Sequence, residues 1–398
     1  MSKNGSKRLT NAVAQSDSGV NLSFKLLSAI GIIIIVSGHC YKGGISLAYD
    51  WFPIYSFNLA LFVFISGYFY KDKHEDNVLK YIWGRAKRLL IPAYLWNIAY
   101  GIFVIIMKNC GYVSGADVNP YNLFIMPFVD GEAFQYNLGS WFVYPLFCVY
   151  IINILFRKLL SLIKLNNLKN LNKEYIIFVV YLVAGMVAVQ TSIETPNGFH
   201  GPMLLLFRTM FFLPCFEFGK FYKAKLEKHD NLNSFAYFGI LFAVQLLLLT
   251  FFKNLEYTPS KCNQFENGGI IPYITAITGI AFWLRVSKLI APIIKHWKPI
   301  LLVADNTYSI MIHHLTGFML VKWLFYLISR ITPLFSDFSI QTMKETIWYY
   351  YMPNGVYSYA IIYLAVGIFF SVLIGVIQKK VWKFIKSAFT PNISKSKA

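Results

Sequence analysis

Residues 31–41 read GIIIIVSGHCY. They close an apolar run, 24–40, that carries no charge between Lys25 and the histidine at its far end, His39. A run of that length matches the roughly 17–25 residues needed to cross a bilayer. An imidazole held at membrane depth is expensive to keep and usually marks a functional site. A second one answers it later in the chain, in the pair His313-His314 inside another apolar run.

Further runs of spanning length lie at 51–70, 89–107, 140–156, 175–190, 202–219, 234–252, 269–284, 299–324 and 354–377. Apolar residues make up 57% of the 398 positions and charged ones 14%, too few to cover a water-soluble surface. The fold class that follows is an all-α integral membrane protein, about ten transmembrane helices in one bundle, lodged in the cell (inner or plasma) membrane. The net charge of +19 does not point to nucleic acid, because most of the 37 Lys and Arg lie in the two tails and in every second connection. This is the positive-inside pattern, and it places both termini in the cytoplasm.

Residues 1–23 are expected to form a disordered cytoplasmic tail, 24–380 the transmembrane domain, and 381–398 a second cytoplasmic tail. The first run follows Lys3, Lys7 and Arg8 but ends without a small-residue cleavage site, so it is expected to be retained as the first helix. The longest outer loops, 108–139 and 330–353, are where a substrate from outside is expected to be gripped. Five cysteines show no metal-ligand spacing, so no structural metal is expected. Cys110 and Cys262 both fall in outer loops and could pair, though nothing in the sequence requires it.

His39 lies about fifteen residues into an outward-running helix, roughly 22 Å from its inner end. His314 lies about as far into its own helix, so the two rings can meet at one depth. Burial disfavours imidazolium, and a neutral imidazole can take a proton from a hydroxyl. His313 reads more simply as an interhelical contact. Arg208, in an otherwise apolar helix, needs a partner. It suits a developing oxyanion, and equally an ion pair with Glu217 or a cap on a carbonyl. Arg85, Lys87 and Arg88 gather at the inner mouth of the third helix. They fit the positive-inside pattern and also the phosphates of a cytoplasmic ligand. Ser66-Gly67 allows close helix approach. No nucleophile elbow, phosphate-binding loop or dinucleotide turn is present.

Taken together, these stretches resemble the acyltransferase-3 family of membrane-bound O-acyltransferases, and in particular the branch similar to fucose 4-O-acetylases. The matching elements are GIIIIVSGH, YSFNLALFVFISGY (55–68), KRLLIPAY (87–94), LGSWFVYPLF (138–147), FFLPCFEFG (211–219) with Arg208 just upstream, and NTYSIMIHH (306–314). Ser28 stands where many members carry a basic residue eleven positions before the histidine, with Lys25 one turn earlier. Asn58 replaces a second-helix histidine of the fucose-acetylase-like branch.

The resemblance implies acetyl-CoA or another acyl-CoA as donor and a glycan or lipid-linked sugar as acceptor. It makes His39 the essential histidine, with His314 orienting it or assisting the oxyanion and Arg208 polarising the thioester. Arg85, Lys87 and Arg88 would anchor the donor, and Asn58, Ser66, Trp141 and Tyr308 would bind substrate. General-base catalysis and transient acylation of His39 both fit. Besides the bilayer, a homo-oligomer is compatible with the chain. The rival class is a glycan or lipid flippase, which would often show repeated halves. The later half carries no second copy of GHCY or SGYFY.

Overall fold

The computed structural model describes residues 21–40, 51–162, 173–195 and 197–389. The expected tails at 1–20 and 390–398 lie outside the described residues. Where the chain is described it is nearly all helical, with no strand among those residues and only two isolated bridges.

In chain order the helices are α1 Leu22–His39, α2 Ile54–Tyr68, α3 Val78–Arg88, α4 Leu90–Asn109, α5 Met126–Val129, α6 Val143–Leu162, α7 Lys173–Ile193, α8 Gly201–Phe221, α9 Ser234–Phe251, α10 Ile271–Ile290, α11 Lys298–Asp305, α12 Thr307–Ile331, α13 Ile340–Glu345 and α14 Ala360–Phe389. Several begin where local chemistry dictates. The Asn21 side chain accepts from the Phe24 amide and Asn77 from the Lys80 amide, capping α1 and α3. Between α3 and α4 the helix breaks at Leu89, because Pro92 has no N–H to give the Arg88 carbonyl.

Nine helical stretches among the described residues are long and apolar enough to cross a membrane. The expected second span is shorter, the 15-residue α2. Pro53 opens it and Phe69 caps it, and it is buried among its neighbours. The expected ninth span divides at Asn306 into α11 and α12, and the last helix runs on to Phe389, so 381–389 prolong it. Apolar side chains such as Ile102 and Ile106 on α4 and Leu246 and Phe251 on α9 stand exposed, as a surface facing lipid requires.

Helices α2 and α8 cross at backbone contact. A Cβ on Gly67 would lie 1.8 Å from the Phe216 carbonyl oxygen, and one on Gly219 would lie 1.9 Å from that of Phe64. No side chain fits at either crossing point. One end of the bundle is tied by charge: Lys25 of α1 pairs with Asp305 at 2.9 Å, and Lys379 of α14 donates to the Asp305 carbonyl and to Asn306. This basic end also carries Arg85, Lys87 and Arg88 at the foot of α4. His39 lies at the opposite end of α1.

Candidate active site

Gly38 and His39 finish α1. The Tyr55 hydroxyl donates to the Gly38 carbonyl at 2.7 Å, and a Cβ on Gly38 would sit 2.8 Å from that hydroxyl oxygen. The glycine therefore lets α2 brace the end of α1 beside the histidine.

His39 Nδ1 lies 2.9 Å from His314 Nε2, with the two rings nearly parallel. The proton on this contact can be placed. His314 Nδ1 is 2.8 Å from the carbonyl of Ile310, one turn back on α12. A carbonyl only accepts, so Nδ1 of His314 carries the hydrogen and its Nε2, in the neutral ring, is an acceptor. His39 Nδ1 must then donate, which leaves Nε2 of His39 as the bare lone pair of the pair.

Both rings line a cavity of about 640 Å³. Along α1 the lining residues are Ser28, Ile32, Ile35 and His39, one helical stripe about 16 Å long. Ser28, the position eleven before the histidine, thus faces the cavity at the end away from His39, while Lys25 is engaged with Asp305. Asn58, Ser66, Trp141 and Tyr308 all line the same cavity. Ser66 donates to Phe62 within its own helix, and the Tyr308 hydroxyl donates to the Leu89 carbonyl at the α3–α4 break.

Arg208 is not among the lining residues. Its Nε and Nη2 both donate to the Ser260 carbonyl and its Nη1 to that of Asp130, at 2.7 Å, while its guanidinium carbon lies 4.8 Å from the Trp141 ring centre. Glu217 pairs instead with Arg157, at 2.5 Å, and Arg157 also holds Glu174. Of the readings open for Arg208, the geometry is that of a carbonyl cap. Arg208 braces the cavity wall from behind, through Ser260 and Trp141, and does not itself line the cavity.

That wall is a loop the sequence did not single out. Residues 256–260 and Gln264, between α9 and α10, close the cavity, whereas Gly139 is the one lining residue from 108–139 and none comes from 330–353. Cys262 (φ 48°) and Gln264 (φ 63°) hold left-handed conformations that ordinary residues rarely adopt. The turn is secured by paired backbone bonds between Thr258 and Asn263. Such strain gathers at functional sites. The pairing of Cys110 with Cys262 is not made. Cys110 is exposed and Cys262 is buried under this loop, both as free thiols. Burial pushes the Cys262 thiol up to about 12, against the pull of nearby Arg208.

Arg85 stacks on Tyr150, which lines the cavity, with 4.3 Å from guanidinium carbon to ring centre. Lys87 and Arg88 are exposed next to it, and Lys87 lies over Trp83. His313 turns away from the pair. It meets the Tyr100 hydroxyl at 2.8 Å and packs edge-on against Trp96, tying α12 to α4. Tyr55 and Gln264 are cavity residues that sequence reasoning missed. Tyr55 stood within a matching motif, but Gln264 carried no pattern at all. Among the described residues, no group of three His, Cys, Asp or Glu could hold a metal ion.

No curated protein and no solved structure matches the chain. A family model described as an acyltransferase domain, that of the acyltransferase-3 family, matches residues 21–336. That range takes in α1 through α12 and the first five residues after it, and with it the paired histidines and the whole cavity lining. The chain belongs to the acyltransferase-3 family of membrane acyltransferases.

Proposed function

We propose that this protein moves an acetyl or similar acyl group from an acyl-coenzyme A to a hydroxyl of a cell-surface or exported glycan, or of a lipid-linked sugar, with His39 as general base. The observation that carries this reading is the chain His39 Nδ1, His314 Nε2, His314 Nδ1, Ile310 carbonyl, which leaves His39 Nε2 as the lone pair of a ring that lines the cavity.

Residues of the chain then take these roles. His39 Nε2 accepts the acceptor's hydroxyl proton as the oxygen bonds to the acyl carbon, and it returns that proton to the sulfur as the C–S bond breaks. His314 keeps His39 in the proton-accepting tautomer and shares the charge that forms. Arg85, with exposed Lys87 and Arg88, supplies cations for phosphates at the basic end. From there a slender arm reaches His39 along the stripe that begins at Ser28. Asn58, Ser66, Trp141 and Tyr308 shape the cavity, and Arg208 acts through Trp141 and Ser260 as a positioning residue. The orientation that fits has the basic end and both termini in the cytoplasm.

The test is transfer of label from acetyl-CoA to glycan by purified protein in detergent. His39→Ala is expected to lower it by roughly 10²–10⁴-fold with unchanged elution on size exclusion. Full retained activity would reject the role. Mass spectrometry of surface glycans from cells with and without the protein identifies the acceptor.

A further inference from the structure

Trp348 approaches His39 without lining the cavity. The ring centres are 6.3 Å apart at 54°, and the indole is 48% exposed. His39 therefore has two surroundings, the cavity on one hand and a half-exposed aromatic face on the other.

The backbone beneath Trp348 is clamped in an unusual way. Lys322, eight residues beyond His314 on α12 and only 3% exposed, donates to the carbonyl of Ile347 at 2.5 Å, and its ammonium lies 5.2 Å from the Tyr350 ring centre. A cation buried in a spanning helix is costly, and such residues are seldom kept without a function. Here it fixes the residue just before Trp348. Further along, the Tyr351 amide bonds the Tyr363 hydroxyl and the Tyr351 hydroxyl donates to Asp337 at 2.5 Å. The segment is thus held on both sides of the exposed indole. A tryptophan of the interfacial belt turns its ring to the lipid headgroups. This one sits beside the paired imidazoles.

We infer that Trp348 is the acceptor platform: the C–H face of a sugar ring stacks on its indole, presenting a ring hydroxyl to His39, and Lys322 is the positioning residue that holds the platform. The electron-rich face of an indole attracts such weakly positive C–H groups, and its two-torsion side chain is ordered at little entropic cost. The inference deepens the acyl-transfer reading and rests on it for the chemistry, but sugar binding can be measured alone.

The experiment uses the full chain purified in detergent. Saturation-transfer NMR measures binding of methyl glycosides of glucose, galactose and rhamnose, with sorbitol as a control that has hydroxyls but no ring. The parent is expected to bind at least one glycoside and to prefer it to sorbitol. Trp348→Ala should weaken that binding about tenfold or more, near 1.4 kcal/mol, whereas Trp348→Phe should keep most of it. If the Ala variant does not fold, Trp348→Leu, which keeps bulk without the π face, is read in its place. Lys322→Met should weaken binding, Lys322→Arg should restore it, and Lys322→Met should add nothing to Trp348→Ala.

No preference of the parent for a ring over sorbitol, or equal binding by the Ala or Leu variant, overturns the inference. Acetyl transfer by the parent protein is scored separately. Trp348-dependent binding without transfer sinks the acyl-transfer reading alone, and transfer with Trp348-independent binding sinks this one alone.

Discussion

Two imidazoles 275 positions apart in the chain share one hydrogen bond, and a third atom, the Ile310 carbonyl, decides which ring gives and which receives. This dependence makes His314 testable apart from His39. His314→Ala removes the acceptor for His39 Nδ1 and frees the ring to turn, so transfer should fall by about 10²-fold or more. His314→Gln keeps an oxygen that can accept the same proton and should retain clearly more activity than Ala in the acetyl-CoA assay. Equal loss in both would reject the orienting role. His39 and His314 were legible in the sequence because an imidazole in an apolar run stands out against its background. For Arg208 the carbonyl cap was only one of three readings that the sequence left open. Its partners are backbone carbonyls at Asp130 and Ser260, and no side-chain pattern announces which main-chain oxygen a loop will turn inward.

At the level of elements, composition and periodicity located nearly every helix, since a lipid-facing helix must be apolar for its whole length. What they missed were breaks set by single bonds. The division at Asn306 follows from local contacts with Leu302 and Lys379, and α2 is short because its ends are fixed by Pro53 and Phe69 while its sides are buried. The wall at 256–264 has no periodicity and could not be read. The contact of α2 with α8 gives a sharp comparison. Gly67→Ala would press a methyl against the Phe216 carbonyl, and overpacking of this kind costs about 1–3 kcal/mol or more. Gly84→Ala on α3 meets nothing within 4 Å and should stabilise by about 0.5–1 kcal/mol. Thermal unfolding midpoints in detergent should therefore move in opposite directions, and a midpoint for Gly67→Ala at or above that of the parent would contradict the crossing.

For the whole molecule, the alternation of basic connections supports the proposed orientation, with the basic end in the cytoplasm, and two thiols provide its test. Cys110 is exposed at the end of α4 remote from Arg85, Lys87 and Arg88, while Cys262 is buried with its thiol pushed up to about 12. A membrane-impermeant maleimide applied to intact cells near pH 7 should label Cys110, and Cys110→Ser should abolish the signal with Cys262 still present. Labelling that appears only after permeabilisation would invert the proposed topology. The neighbouring histidines of α12 carry a last consequence. Successive residues on a helix point about 100° apart, so His314 meets His39 while His313 meets Tyr100 and Trp96. Adding or deleting one residue between the Asn306 break and this pair would rotate the helix enough to trade one imidazole's surroundings for the other's. The spacing from Asn306 to His314 thus works as a phase setting for the bundle, and chains that alter it would need a compensating turn elsewhere in α12 to keep an imidazole opposite His39.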